Sequence, residues 1–276
     1  MTKGFLVFAF NNKSINYIEQ AKFLSKNVKD KLNLPVSIVT DNSIDLDNCK
    51  NSFDKIIKLD YNHKVKNRPY RDGESFESLE FKNYCRSQSY ALTPYDETIV
   101  IDTDVVLYND VFKNCFSNVN NLLMYDECFP LSGLKEYQDY KYINDKGIKF
   151  YWATVIFFRK CIENEIFFNL VAHVEEYWNH YKNLFGISQT FFRNDFAFSI
   201  AIHIINGYKQ GSFVNKMPGK LFYITDREFC FKLNDNYATF LIEKEKNNSN
   251  LYFANVSNLN VHIMNKFSLE RCICGN

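Results

Sequence analysis

The chain lacks any run approaching the ~18 consecutive apolar residues of a membrane span, so a soluble protein is expected. It also lacks an excess of either charge. With 33 Lys and Arg against 32 Asp and Glu, the formal net charge is +1, which leaves no global field for nucleic acid or an anionic membrane. A local basic patch remains open. There is no leader pattern: Gly4 to Phe10 is short and apolar, has no strongly basic flank, and is followed by Asn11-Asn12-Lys13 rather than by a small-residue cleavage site. That stretch is expected to be a first strand, and the location cytoplasmic. The 8 cysteines lack metal-binding spacing. Cys272-Ile-Cys274 has no second pair at zinc-ribbon distance and reads as a tail feature. Cys85, Cys115 and Cys161 sit in apolar surroundings, which fits reduced, buried thiols. His173 and His180 have no acidic partner at helical spacing and are expected at the surface or in packing.

What is abundant is aromatic: 27 Phe and 18 Tyr, 17% of the chain with Trp included. Most belong in a core, and at 276 residues the chain is long enough for one large α/β domain with a sizeable one.

Thr98 to Leu107, TIVIDTDVVL, organises that domain. It reads as a buried strand with two carboxylates in it, and a buried carboxylate loses several kcal/mol of solvation unless something compensates it. In an extended chain Asp102 and Asp104 leave the backbone on one face, where they repel each other. A divalent cation held between them, Mg²⁺ or Mn²⁺, removes the repulsion. The plainer reading ends the strand at Ile101 and leaves both aspartates in a solvated turn.

Around this stretch the pattern is strand, helix, strand. Ser14 is a plausible cap for a helix whose stripe is Ile15, Ile18, Ala21, Phe23-Leu24 and Val28. Strands are expected at Pro35 to Asp41 and Asp54 to Asp60, which gives a βαβ signature and a parallel sheet. Ligands in such sheets collect at the carboxyl ends of the strands, near Asn11, Asp41 and the aspartate pair. Tyr61 to Ser75 is expected to be a loop in which Arg68 and Arg71 form either a mobile anion clamp or a solvated pair. A helix is expected from Phe76 to Leu92, with Lys82 and Arg86 one turn apart on a shared face. That face either meets a phosphate-bearing ligand or forms an exposed ridge paired with Glu80.

Further on, a helix is expected at Asn109 to Phe116, a strand at Asn121 to Asp126, an irregular stretch at Cys128 to Lys149, and a strand at Phe150 to Phe158 with small Ala153-Thr154 at its middle. Cys161 to Tyr181 reads as one long helix. Asp195 opens an apolar helix that ends at Asn206-Gly207, and is either its cap or a base or sugar-binding carboxylate. Short strands are expected at Phe213 to Val214, Lys220 to Thr225 and Phe229 to Leu233, and Glu243 to Asn250 looks disordered. His262 and Lys266 could return to the site from the end of the chain.

Taken together, Lys82-x3-Arg86, Pro94-Tyr-Asp-Glu-Thr98, Asp102-Thr-Asp104 and the late His262 resemble the GT-A fold nucleotide-sugar glycosyltransferases, particularly the glycogenin and galactosyltransferase group. The resemblance implies a GT-A-like, Rossmann-like fold: a mostly parallel central sheet flanked by helices, with a mixed C-terminal portion, in a single domain over 1–276. Residues 1–110 would be the nucleotide-binding half and 111–276 the acceptor-binding half. It implies Mn²⁺ or Mg²⁺ held by Asp102, Asp104 and His262, and a nucleoside-diphosphate sugar, UDP-sugar favoured, as donor. Arg86 would contact donor sugar and phosphate, with Lys82 on the same face; Phe10 and Asn11, and more weakly Asp41, would hold the base. Asp195 would line the donor-sugar and acceptor pocket, and would be the general base if the anomeric centre inverts. Lys266 would be a phosphate ligand, although it follows His262 by four residues where the family has six, and the family's Gly, Pro and Trp are absent. Metal and cations there would stabilise the departing diphosphate.

Two alternatives stay open. Asp102-Thr-Asp-Val-Val-Leu107 also matches the motif of haloacid-dehalogenase-type phosphatases, with Asp102 as nucleophile and Mg²⁺ as cofactor. A non-catalytic GT-A domain that binds nucleotide or glycan is the other. The acceptor is open among a glycan, a protein and a modified nucleobase. Tyr151, Trp152 and the Tyr-rich stretch from Cys128 to Lys149 could line its pocket.

Overall fold

The computed structural model of the protein describes residues 1–41, 49–59, 66–83, 85–134, 141–144, 147–188, 191–246 and 249–275. The first strand, Lys3–Phe8 (β1), is buried at every position after Lys3. Helix Tyr17–Leu32 (α1) buries Ile18, Ala21, Leu24, Val28 and Leu32, the three-and-four spacing of a single stripe. Its cap is Asn16, not Ser14: the Asn16 side chain accepts from the Glu19 N–H at 3.2 Å, a bond type that contributes about 1 kcal/mol. Ser14 is diverted, its hydroxyl donating to Glu77 at 2.7 Å. Strands Val36–Thr40 (β2) and Lys55–Lys58 (β3) follow, both parallel to β1.

The next segment departs from expectation. Residues 60–65, the end of the expected strand and the start of the anticipated loop, lie outside the described residues, but Lys66–Asp72 (β4) and Ser75–Phe81 (β5) form an antiparallel hairpin where a loop and then a helix were expected. Gly73 at φ +66° supplies the left-handed residue that a two-residue hairpin turn requires. A Cβ at this position would lie 2.4 Å from the Phe229 ring. The helix-favouring residues of the segment lose to the pleat, which buries Leu79 and Phe81 and leaves Glu80 between them exposed. Only a 3-10 turn, Cys85–Gln88, and helix Ser89–Leu92 (α2) remain of the expected helix. Lys82 and Arg86 therefore do not share a helix face.

The remaining elements are Glu97–Ile101 (β6), Val105–Val106 (β7), Lys113–Ser117 (α3), Leu122–Tyr125 (β8), Phe129–Pro130 (β9), Trp152–Arg159 (β10), Ile162–Glu176 (α4), Trp178–Leu184 (α5), Asn194–Ile205 (α6), Asn215–Lys216 (β11), Leu221–Ile224 (β12), Phe229–Leu233 (β13), Tyr237–Glu243 (β14), Leu251–Ser257 (β15), Asn260–Ile263 (β16) and Lys266–Cys274 (α7). The expected long helix is thus two, broken at Tyr177, and Cys272 and Cys274 lie on a helix rather than a tail. All eight cysteines are free thiols, and Cys85 and Cys115 are buried.

The molecule is α/β, with a large, mostly parallel sheet ordered β11-β8-β10-β6-β1-β2-β3. Only β10 runs antiparallel to its neighbours. The chain winds outward from β1 to β3 and then crosses back to lay β6 on the other side of β1. That reversal opens a crevice beyond the carboxyl ends of β1 and β6, the place where such sheets bind ligands. Strands β1 and β6 at its centre are buried along their length apart from Lys3, and the one acid that enters β6, Glu97, is neutralised by Arg159 at 2.6 Å. A second sheet, β7-β16-β12-β9, and an antiparallel meander, β13-β14-β15, complete the C-terminal part. No helix among the described residues is long and apolar enough to cross a membrane.

Candidate metal centre and cleft

Strand β6 ends at Ile101, and Asp102 and Asp104 lie in the tight turn before β7 rather than within a strand. The turn is closed by the Val105 N–H donating to the Asp102 carbonyl at 3.3 Å. It is not a solvated turn: Asp104 is only 2% exposed. Two neighbours bury it. Strand β16 pairs antiparallel with β7, placing His262 opposite Val105, and the Ile263 N–H donates to the Asp104 carbonyl at 2.8 Å. Helix α7 then starts at Lys266, capped by Asn265, whose side chain accepts from the Ser268 N–H at 3.0 Å.

The result is a compact charged cluster. Lys266 Nζ lies 2.6 Å and His262 Nε2 3.4 Å from Asp104 Oδ2. Arg86, 1% exposed, donates to Asp102 Oδ1 and to the Ala153 carbonyl. Burial alone would raise the Asp104 carboxyl, but the Lys266 ammonium and His262 outweigh it and hold the group well below the usual carboxylate range. Burial pushes Asp102 up, with Arg86 offsetting part of the effect and the Asp104 charge adding to it. Burial would lower Lys266, yet Asp104 overrides it and raises the ammonium.

One ligand atom each from Asp102, Asp104 and His262 lies within 4.8 Å of the others. Asp104 Oδ1 and His262 Nδ1 are buried without a hydrogen-bond partner, a costly state for polar atoms. Two carboxylates and an imidazole with unsatisfied atoms fit a divalent cation such as Mn²⁺ or Mg²⁺.

This cluster lies in a cleft of about 410 Å³. The small residues of β10 serve it directly. The ladder between β10 and β8 shifts register between Trp152 and Ile156, and the backbone of Ala153 and Thr154 turns to other partners. The Ala153 carbonyl takes Arg86, the Ala153 N–H donates to Asp195 at 2.9 Å, and the Thr154 carbonyl accepts from the Asp102 N–H at 3.0 Å. Asp195 is not the cap of α6; Arg193 holds that position, and its guanidinium grips the Asp195 carboxylate with two bonds of 2.8 and 3.0 Å.

Of the residues anticipated from sequence, Phe10, Lys82, Arg86, Asp102, Asp104, Asp195, His262 and Lys266 line this cleft, as does Trp152. Asn11 and Asp41 are not among its lining residues. The Asn11 carbonyl accepts from Lys82 Nζ at 2.8 Å while its side chain accepts from the Ile18 N–H at 3.1 Å, and Asp41 pairs with Lys82 at 3.7 Å. Tyr17, Arg193 and Asp226 are among the lining residues that sequence reasoning missed. Asp226 follows β12 almost directly, so the strand-end argument applied to Asp41 would have found it. Arg193 stands two residues before Asp195, a spacing that signals a local pair. His173 and His180 lie away from the cleft, against Tyr177 and Tyr181.

No family model and no curated protein matches this sequence. Among solved structures, the chain is similar to the glycosyltransferase GlyE of Streptococcus pneumoniae TIGR4, with 14% identity, 78% of this chain and 45% of that chain covered, and a TM-score of 0.46. It is also similar to the galactosyltransferase LgtC, solved with donor and acceptor sugar analogues, at 13% identity over 77% of this chain and 72% of that one, with a TM-score of 0.43. The chain spans less than half the length of GlyE.

Proposed function

We propose that the protein is a metal-dependent glycosyltransferase of GT-A type that takes a nucleoside-diphosphate sugar, a UDP-sugar favoured, as donor. The observation that carries this reading is the meeting of Asp102 and Asp104, from one turn, with His262, from far along the chain, in a cation-lined cleft at the switch point of the sheet. Asp102, Asp104 and His262 would hold Mn²⁺ or Mg²⁺, which when bound neutralises charge developing on the departing diphosphate. Lys266 and Arg86 stand beside the two carboxylates, where a lysine and an arginine add fixed positive charge for the same leaving group. Phe10 and Lys82 line the cleft near the end of β1 and serve the base side, with Asn11 and Asp41 orienting Lys82.

Asp195 serves the sugar side. Its fixed bonds to Arg193 and to the Ala153 N–H suit a carboxylate that orients a hydroxyl, or accepts its proton if the reaction inverts. Residues 1–110 thus carry most of the nucleotide contacts and residues 111–276 the acceptor side, with His262 and Lys266 the exceptions. Engagement of Asp102 by Arg86 suits a ligand-orienting carboxylate better than the attacking nucleophile of a phosphatase.

Thermal unfolding with UDP, GDP, CDP and TDP, each with and without Mn²⁺, tests the reading without knowledge of the acceptor. A nucleotide at a hundred times its dissociation constant adds about 2.7 kcal/mol, or roughly 5–10 °C at this size. A shift with one nucleotide that requires Mn²⁺ is expected. Stabilisation by Mg²⁺ with vanadate, and by no nucleotide, would replace the transferase reading with the phosphatase one.

A further inference from the structure

Two free thiols meet where α7 packs on β13. The ladder between β13 and β14 shifts register between Cys230 and Lys232, and both backbone groups of Cys230 bond to the helix. Its N–H donates to the Ser268 hydroxyl at 3.0 Å, and its carbonyl accepts from the Cys272 thiol at 3.2 Å. Ser268 and Cys272 are four apart on α7, so one turn of the helix holds this residue from both sides. The Cys230 side chain completes the contact, its thiol hydrogen-bonding to the Cys272 sulfur.

The two sulfurs are not alike. Cys230 is buried, and the bond its thiol makes to Cys272, together with burial, holds it well above the ordinary value. Cys272 is half-buried, and the bond from Cys230 brings its thiol below the ordinary value, with burial opposing and the Arg271 guanidinium assisting. Cys274, two residues on, is the more exposed helix thiol, yet partial burial and the charges of Glu270 and Glu19 raise it. An accessible thiol that ionises readily beside a buried second thiol is what peroxides oxidise selectively.

We propose that Cys272 and Cys230 form an oxidation site, at which Cys272 reacts with hydrogen peroxide and Cys230 resolves the product to a disulfide. In the first step the Cys272 thiolate attacks the peroxide. A sulfur–oxygen bond forms, the oxygen–oxygen bond breaks, and the departing hydroxide takes up the proton the thiol gave. In the second, the Cys230 sulfur displaces that oxygen, which leaves as water with the Cys230 proton, and the sulfur–sulfur bond forms. The two thiols give up two electrons and the peroxide becomes two waters. Neither sulfur lines the cleft. The disulfide instead fixes to β13 the helix that brings Lys266 to Asp104 and Arg271 to the hairpin.

The test is exposure of the whole, reduced protein to hydrogen peroxide, followed by alkylation in denaturant and peptide mapping without reductant. One bond within the chain, Cys230 to Cys272, is expected, so that the eight free thiols fall by two, and dithiothreitol restores them. Cys230→Ser keeps a hydroxyl donor beside Cys272 but has no resolving sulfur. There the disulfide is lost, and dimedone should trap a sulfenic acid on Cys272 at least about threefold faster than on Cys274. Eight alkylated thiols after peroxide would overturn the proposal. So would a bond from Cys272 to Cys274 or to a second chain, or faster capture on Cys274, because exposure alone would then decide which thiol reacts.

Discussion

The two walls of the cleft are built differently. One is the carboxyl end of a parallel sheet: β1 and β6 lie side by side with backbone hydrogen bonds along their length, and Asp102 emerges directly where β6 stops. The other is assembled from distant pieces, with His262 delivered by β16, Lys266 by α7, and the hairpin tied down through Asp72 to Arg271 of that same helix. The first wall is held by a ladder and a core; in the second, β16 has its own ladders to β7 and β12, but the β4–β5 hairpin is fastened by a small apolar cluster and a few polar bonds. The hairpin should therefore be easier to loosen without unfolding the domain.

The largest effect should come from the first wall. Arg86→Ala leaves Asp102 partly buried beside Asp104 with no guanidinium, and removing one partner of a buried ion pair costs about 3–5 kcal/mol. Urea unfolding should show a loss of that size. A loss below about 1 kcal/mol would mean that the pair is not coupled to the fold.

Glu175 gives a pH test on the same wall. It accepts from Ser87 in the turn that carries Arg86 at 2.7 Å, and burial lifts its carboxyl to about 7. Because the folded value is above the unfolded one, its contribution is present in full below the unfolded pKa and is lost as pH rises through about 7. The wild type should lose up to about 3 kcal/mol between pH 5 and 8, and Glu175→Gln should flatten that slope. Parallel profiles for the two proteins would show that Glu175 titrates normally.

On the second wall, Asp72→Ala removes the bonds to Arg271 and Asn265 and should cost about 1–2 kcal/mol. Hydrogen exchange should quicken across β4 and β5 while β1 and β6 stay protected. Uniform quickening would mean that the walls do not separate. The smallest effect on stability is expected for Asp195→Asn, which loses the charged pair with Arg193 but retains an oxygen for the Ala153 N–H, at about 1 kcal/mol. Transfer, once an acceptor is in hand, should fall far more than stability does.

This contrast also marks what was legible in the sequence. Strands β1, β2 and β6 announce themselves as continuous apolar runs, and Asp102 and Asp104 stand out because acids rarely follow such a run without a reason. The hairpin was not legible. Its Glu, Leu and Lys favour a helix, and what forces the pleat is the burial of Leu79 and Phe81 together with a fastening to Arg271 that lies far along the chain. Pairing of β7 with β16 is likewise a long-range event, invisible to any local pattern: the sequence offered His262 and Lys266 only as an imidazole and a cation late in the chain, and the family resemblance implied their roles. The shift of Asp195 from cap to bridge has the same origin, since Ala153 and Arg193, not the helix end, take its carboxylate.

The central claim is that Asp102, Asp104 and His262 hold a divalent cation. Titration of Mn²⁺, followed by its electron paramagnetic resonance signal, tests it most directly, in the wild type and in Asp104→Asn with UDP present. One bound ion per chain is expected in the wild type, and at least a hundredfold weaker binding in the variant. Equal binding by both proteins, or none by a folded wild type, would contradict it.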